Sequence, residues 1–293
     1  MLVVRIWEGL GNQMFQYAFA RILQDKVKHN VYLEGRRIYR EHLPQEDLTV
    51  ERKCLLNNFN LEIKFIKPEY LSGWSYLEQR TVFQRIQFAF AEKKIGKYIF
   101  LTDYPDMYAY HEELLNLNQN AYIMGHFLSK KYIEPIRKKL LQEFTLKNVL
   151  VLNKELSLIM QNYDTISLHI RRGDYLYAEC AQIVNEEMRK GHYYERAMKY
   201  IAGRVNNPFF LIFSDDMEWV QKNFICSYKH IYIKDMGYKD YEEMMLMSYC
   251  KHNIIANSTF SFWGAWLNKN KGKKVICPKH WLPSIIPDGW IRM

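Results

Sequence analysis

The chain contains no run of about 18 or more apolar residues, the length a membrane-spanning helix requires. It has no Cys-x-x-Cys pair. Its five cysteines (Cys54, Cys180, Cys226, Cys250, Cys277) are odd in number and scattered, which speaks against a disulfide framework or a zinc site. That pattern suits a reducing compartment. The first residues, MLVVRIWEGLGNQ, meet charge too early for a signal peptide. A soluble, cytoplasmic protein is therefore the expectation, with no transmembrane segment. No Asp-x-Asp occurs anywhere, and Gly9-Leu10-Gly11-Asn12 lacks the third glycine of a dinucleotide fingerprint. No low-complexity segment or internal repeat is visible.

What is present is length, core-forming residues and positive charge. The 293 residues suffice for two domains, and 48% hydrophobic with 15% aromatic residues exclude a disordered chain. The 22 tyrosines and 7 tryptophans suit sugar-binding clefts and ordinary cores alike. A net charge of +9 and pI near 9.1 favour an anionic partner. The densest basic cluster, Lys269–Lys274, is short and has no interleaved aromatics, so a nucleic-acid module is not expected. An anionic nucleotide ligand, or peripheral contact with a membrane-associated acceptor, fits the charge equally well.

In chain order, Leu2–Trp7 reads as a buried strand and Glu8–Gly11 as a turn. Asn12 then caps a helix with Met14, Phe15, Ala18, Phe19, Ile22 and Leu23 on one face. Val31–Leu33 is a short strand. Residues 36–106 are irregular and broken by Pro44, Pro68 and Pro105, with helical signal at Thr81–Phe90. Ala121–Phe127 returns to a strand, and a helix follows from about Ser129 to Leu141, with Pro135 near a kink. After Leu146–Leu152 strands and helices alternate, which predicts a parallel, doubly wound sheet. The expected division is residues 1–150 and 151–293, with a cleft between the halves.

Three stretches carry chemistry. In His169-Ile170-Arg171-Arg172-Gly173-Asp174, a strand ends in two guanidiniums, a glycine and a carboxylate. Open α/β sheets bind ligands at that edge, and arginine forks match phosphate oxygens. His169 and Arg171 share a strand face, so both reach one ligand, whereas Arg172 points away. Surface ion pairs remain the plainer alternative on this stretch alone. In Phe213-Ser214-Asp215-Asp216 the adjacent aspartates also follow a strand. A metal is not expected there, and Ser214 or Asp215 may equally be read as the cap of the helix holding Trp219. In Asn253–Leu267, a strand runs into Asn257-Ser258-Thr259, suited to a helix amino terminus whose amides receive phosphate.

Gly9–Arg21, Gly125–Tyr132, His169–Tyr175, Phe213–Asp216 and Met247–Leu267 together resemble glycosyltransferase family 11, the α-1,2-fucosyltransferases, in bacterial form. The resemblance spans nearly the whole chain. It implies a GT-B-like α/β fold of two Rossmann-like domains, with the acceptor side in residues 1–150 and the donor nucleotide mainly in 151–293. It implies GDP-fucose as donor, no metal or other cofactor, and inverting transfer of L-fucose to the 2-hydroxyl of a galactoside-containing glycan. By resemblance Arg171 meets the β-phosphate with Arg172 supporting, and His169 lies near guanine or its ribose. Thr259, Phe260 and Ser261, with Ser258, close round the phosphates. Glu242 or Glu243, the latter preferred, reads guanine. Asp215, Asp216, Gly11, Asn12 and Gln13 complete the expected substrate-binding set. Asp174 is the chosen general base, ahead of Glu179 and of Glu8, which departs from the family's more usual glycine. The alternatives are another acceptor or linkage within the family, or a non-catalytic nucleotide- or nucleic-acid-binding protein.

Overall fold

The computed structural model describes residues 1–35, 39–42, 49–67, 99–103, 106, 108–173 and 179–293. The helical signal at Thr81–Phe90 lies outside them. Two compact units emerge: Met1–Glu8, Asn12–Tyr39 and Arg52–Thr145 form the first, and Gly9–Gly11, Arg40–Glu51 and Leu146–Met293 the second.

The first unit opens with β1 (Leu2–Arg5), α1 (Leu10–Lys26) and β2 (Val31–Glu34). The apolar face of α1 is where its spacing puts it: Met14, Phe15, Ala18, Phe19, Ile22 and Leu23 are all buried. Because the helix already starts at Leu10, Asn12 sits inside its first turn and is not its cap, correcting the expectation. The strands β3 (Tyr39–His42) and β4 (Thr49–Arg52) make a separate two-stranded sheet. The strands β5 (Ile99–Thr102) and β6 (Ala121–Met124) complete the main sheet, in the order β2-β1-β6-β5 with all pairs parallel. Pro135 ends the following helix outright, giving α2 (Lys130–Ile133) and α3 (Arg137–Glu143) instead of one kinked helix. Glu143 ties α3 to α1 by accepting from the Tyr17 hydroxyl and from Arg21 Nε at 2.8 Å.

The second unit runs α4 (Lys154–Asn162), β7 (Asp164–Ile170), α5 (Glu179–Lys190), α6 (Tyr193–Ala202), β8 (Pro208–Ser214), α7 (Met217–Asn223) and β9 (His230–Tyr232). It continues with α8 (Asp240–Tyr249), β10 (His252–Ile254), α9 (Thr259–Leu267), β11 (Val275–Cys277) and β12 (Ile291–Arg292). Its six strands are parallel throughout, in the order β12-β11-β10-β7-β8-β9. Strands β7 to β9 step one way and β10 to β12 the other, so the winding reverses between β7 and β10. Such reversals open the crevice in which doubly wound sheets bind ligands.

Both sheet faces are covered. On β8, Phe210 and Ile212 join Met198 and Ile201 of α6 in one cluster, while Leu211 and Phe213 join Leu246 and Met247 of α8 in another. The two-residue period of the strand divides these side chains between the layers. A polar bolt crosses the second layer. Asn253 of β10 donates to Ser167 Oγ at 2.7 Å and to the Met247 carbonyl at 2.8 Å, while Asn268 donates to Asn253 Oδ1 at 2.8 Å. Asn253 has no solvent exposure. Asn253→Ala strands all three partners and is expected to cost roughly 2–3 kcal/mol. A lowered urea midpoint at unchanged slope is the readout.

Candidate active site

The carboxyl end of β7 meets that of β8 around one carboxylate. Asp215 Oδ2 lies 2.9 Å from Arg171 Nη1, and its Oδ1 accepts the Arg172 backbone N–H at 2.9 Å. Gly173 makes this possible: a Cβ there would come within 2.2 Å of Asp215 Oδ2. Arg172 turns to Asp216, its Nε 3.2 Å from Oδ2, and lays its guanidinium 3.4 Å above the Trp219 ring centroid. Asp216 itself caps α7 by accepting from Trp219 N at 3.2 Å. The cap is thus one residue later than Ser214 or Asp215; the Ser214 hydroxyl instead accepts from Asp216 N at 3.1 Å.

His169 is buried on β7, its ring 5.6 Å from that of Phe260 in α9. Burial first, then the charge of Arg171, pushes its pKa down to about 3, so the imidazole is neutral at physiological pH. Ser258 caps α9 by accepting from Phe260 N at 3.3 Å, and Ser261 Oγ donates to the Ser258 carbonyl at 3.3 Å. Thr259 is the first residue of that helix. Two polar atoms at this edge, His169 Nδ1 and Asn257 Oδ1, are buried with no hydrogen-bond partner among the described residues. Native proteins keep few such atoms, each costing about 1–3 kcal/mol, and a functional site is one of the usual reasons.

On α8 the two glutamates separate. Glu242 Oε2 accepts from Lys239 N at 2.8 Å in a capping box, so it belongs to the helix start. Burial, reinforced by Asp240 and opposed by Lys234, raises Glu243 to about 7. Gly11 falls in the second unit, where its carbonyl accepts from Trp263 Nε1 at 2.9 Å. Asn12 and Gln13 fall in the first. Asn12 donates to the Glu8 carboxylate, and Gln13 bonds the Glu8 and Lys53 carbonyls at 2.7 and 2.8 Å and the Leu55 N–H at 2.9 Å. Gln13 is buried, so its amide serves the backbone around it. Asp174 lies outside the described residues, and so does the side chain of Glu179, the first residue of α5.

Sequence reasoning passed over Trp219, which seats Arg172, and also His126 and Asp103 in the first unit. The signal for Trp219 was its position three residues after Asp216 in a short helix. Among the described residues no group of three His, Cys, Asp or Glu side chains is set to hold a metal ion. A cavity of about 810 Å³ in the second unit is walled by Arg196, Lys199, Arg204, Lys279 and Arg292, and includes none of the residues above.

The neutral, buried His169 makes folding acid-sensitive. Its imidazole titrates near 6.5 when unfolded and near 3 when folded, so between these values only the unfolded chain takes up the proton. Its contribution is complete above 6.5 and lost as pH falls toward 3. His169→Gln should therefore show a shallower fall in melting temperature over that window than the parent protein, measured by thermal unfolding across pH.

The family model for glycosyl transferase family 11 matches residues 1–283. The O-antigen biosynthesis glycosyltransferase WbnK of Escherichia coli is 31% identical, over 97% of this chain and 98% of its own. An alpha-1,2-colitosyltransferase of the same organism is 29% identical over 100% and 99%. Galactoside alpha-(1,2)-fucosyltransferase 2 of Pongo pygmaeus is 23% identical over 88% and 66%. Among solved structures, fucosyltransferase NodZ from Bradyrhizobium aligns over 90% of this chain and 91% of that one, at a TM-score of 0.43 and 11% identity. With the family model covering all but the last ten or so residues, the chain belongs to glycosyl transferase family 11 and is a glycosyltransferase.

Proposed function

We propose that the protein transfers L-fucose from GDP-fucose to the 2-hydroxyl of a terminal β-galactoside in a glycan or lipid-linked oligosaccharide, with inversion and without a metal. The observation that carries this reading is the edge at the β7–β10 reversal. There Arg171 is oriented by Asp215, and two buried polar atoms stand unpaired beside the start of α9. The α-1,2 relatives supply the linkage.

Cleavage of the fucose–phosphate bond builds positive character on the sugar and negative charge on the β-phosphate. Arg171 and the backbone amides of the first turn of α9 stabilise that leaving charge. Arg172, held by Asp216 and Trp219, keeps the β7 turn in shape. Glu243 accepts the two adjacent N–H groups on guanine's Watson–Crick edge, a pairing that requires its ionised form.

The full-length relative named for colitose transfer favours a second donor, GDP-colitose, whose sugar is 3-deoxy-L-fucose. Both donors, incubated with EDTA and a panel of terminal galactosides and followed by linkage mapping, decide the matter. Absence of transfer from either donor, together with absence of GDP binding, would remove the reading.

Two further outcomes are expected. Arg171→Ala lowers turnover roughly 100- to 1000-fold while the far-ultraviolet circular dichroism is unchanged. GDP affinity rises as pH passes upward through about 7, where Glu243 loses its proton, and Glu243→Gln flattens that dependence. Isothermal titration between acidic and mildly alkaline buffers measures it.

A further inference from the structure

The first unit has a second polar edge that the donor site does not use. Glu8 follows β1, His126 follows β6 and Asp103 follows β5, three neighbouring strands of one parallel sheet. Glu8 is held at φ 63°, a conformation side-chain-bearing residues seldom adopt. Phe127, beside His126, is also left-handed, at φ 54°. Backbone strain of this kind gathers where a site must be held in shape.

The contacts all orient one carboxylate. His126 Nε2 lies 3.1 Å from Glu8 Oε1, and Asn12 Nδ2 donates to Oε2. The Trp7 ring sits 4.7 Å from the imidazole, and its Nε1 donates to the Gly125 carbonyl at 3.2 Å. Asp103, fully buried, fixes the next layer by accepting from His126 N at 2.7 Å and Phe127 N at 2.9 Å. Gly125 permits that approach, since a Cβ there would come within 2.6 Å of Asp103 Cγ. His126 is 8% exposed, whereas the Glu8 side chain keeps 25% of its surface open. A turn that needed only a left-handed residue would be served without strain by glycine. Here a glutamate occupies it, with both oxygens aimed and one side open to a ligand.

The transfer reaction needs a group to take the acceptor's proton. The described aspartates of the donor edge are committed: Asp215 to Arg171 and Arg172, Asp216 to Arg172 and the α7 amide. We propose that Glu8 is the proton acceptor for the attacking hydroxyl, with His126 and Asn12 as positioning residues. The inference rests on the glycosyl-transfer reading above. In the step, the acceptor oxygen bonds to the anomeric carbon and the anomeric C–O bond to phosphate breaks. GDP leaves with that electron pair, and the hydroxyl proton passes to the Glu8 carboxylate. Burial works against a charge on His126, but the Glu8 hydrogen bond and the charges of Glu8 and Asp103 outweigh it, so its pKa is raised. An imidazolium at 3.1 Å keeps Glu8 ionised and ready to accept.

The test compares the parent protein with Glu8→Gln, Glu8→Gly and His126→Asn, measuring turnover over about pH 5 to 9, GDP affinity and thermal stability. Glu8→Gln and Glu8→Gly should each lose roughly 100-fold or more in turnover. Both should bind GDP as the parent does, and Glu8→Gly should stay folded because glycine accepts the left-handed turn. The acid limb of the pH profile should vanish in Glu8→Gln and move to higher pH in His126→Asn. Parent-like turnover with an unchanged acid limb in Glu8→Gln overturns the assignment of Glu8 alone, and so does a loss of GDP affinity that matches the loss of rate. A parent protein that transfers sugar from neither donor overturns the glycosyl-transfer reading and this inference together.

Discussion

The second unit depends on how one carboxylate is shared. Asp215 reaches back from the end of β8 to the end of β7, giving one oxygen to the Arg171 guanidinium and the other to the Arg172 amide. Two like charges on adjacent residues repel, and both would otherwise swing into solvent. Anchoring Arg171 by its side chain and Arg172 by its backbone sends the two guanidiniums to different partners, Asp215 and the Asp216–Trp219 platform. A partly exposed ion pair of this kind adds little to stability. Its value is positional, because Arg171 need not be reorganised when charge develops on a leaving phosphate.

The sheet supplies the setting. Strands β7 and β10 are neighbours in space but lie on opposite sides of the winding reversal, so the turns that follow them diverge. Side chains from segments some eighty residues apart, such as His169 and Phe260, come within ring-contact distance there. The buried Asn253–Asn268–Ser167 bonds tie the same strands and the end of α9 together beneath the edge.

How much of this the amino-acid order discloses depends on whether the signal is local. The runs Ile166-Ser-Leu-His-Ile170 and Phe209-Phe-Leu-Ile-Phe213 are unbroken and β-prone, and both form strands. The helices α4 and α5 were not legible because each carries exposed apolar residues, Leu158 and Ile183, that blur the stripe. Strand β5 is a four-residue run in a stretch punctuated by prolines, and β12 has two residues. At the site, adjacency hid the division of labour. Asp215 and Asp216 look equivalent as a pair, yet one holds arginines and the other caps a helix. Glu242 and Glu243 differ for a similar reason, since only the first reaches its own helix start. Asp103, His126 and Glu8 meet through strand order alone, and no spacing in the chain announces them.

The two edges also treat charge in opposite ways. At the β7–β8 edge a buried histidine is kept neutral beside an arginine, and its pKa is driven down by burial and that cation. At the β1–β6 edge another buried histidine has its pKa raised, because two carboxylates outweigh the cost of burying the charge. Cationic groups facing a leaving phosphate, and a carboxylate facing an incoming hydroxyl, are the complementary demands of glycosyl transfer. A metal would meet the first demand by adding charge at the phosphate. Fixed arginine and helix-end amides meet it through orientation, which is why the small spacing devices matter: Gly173 under Asp215 and Gly125 under Asp103 each admit a carboxylate where a methyl group would displace it.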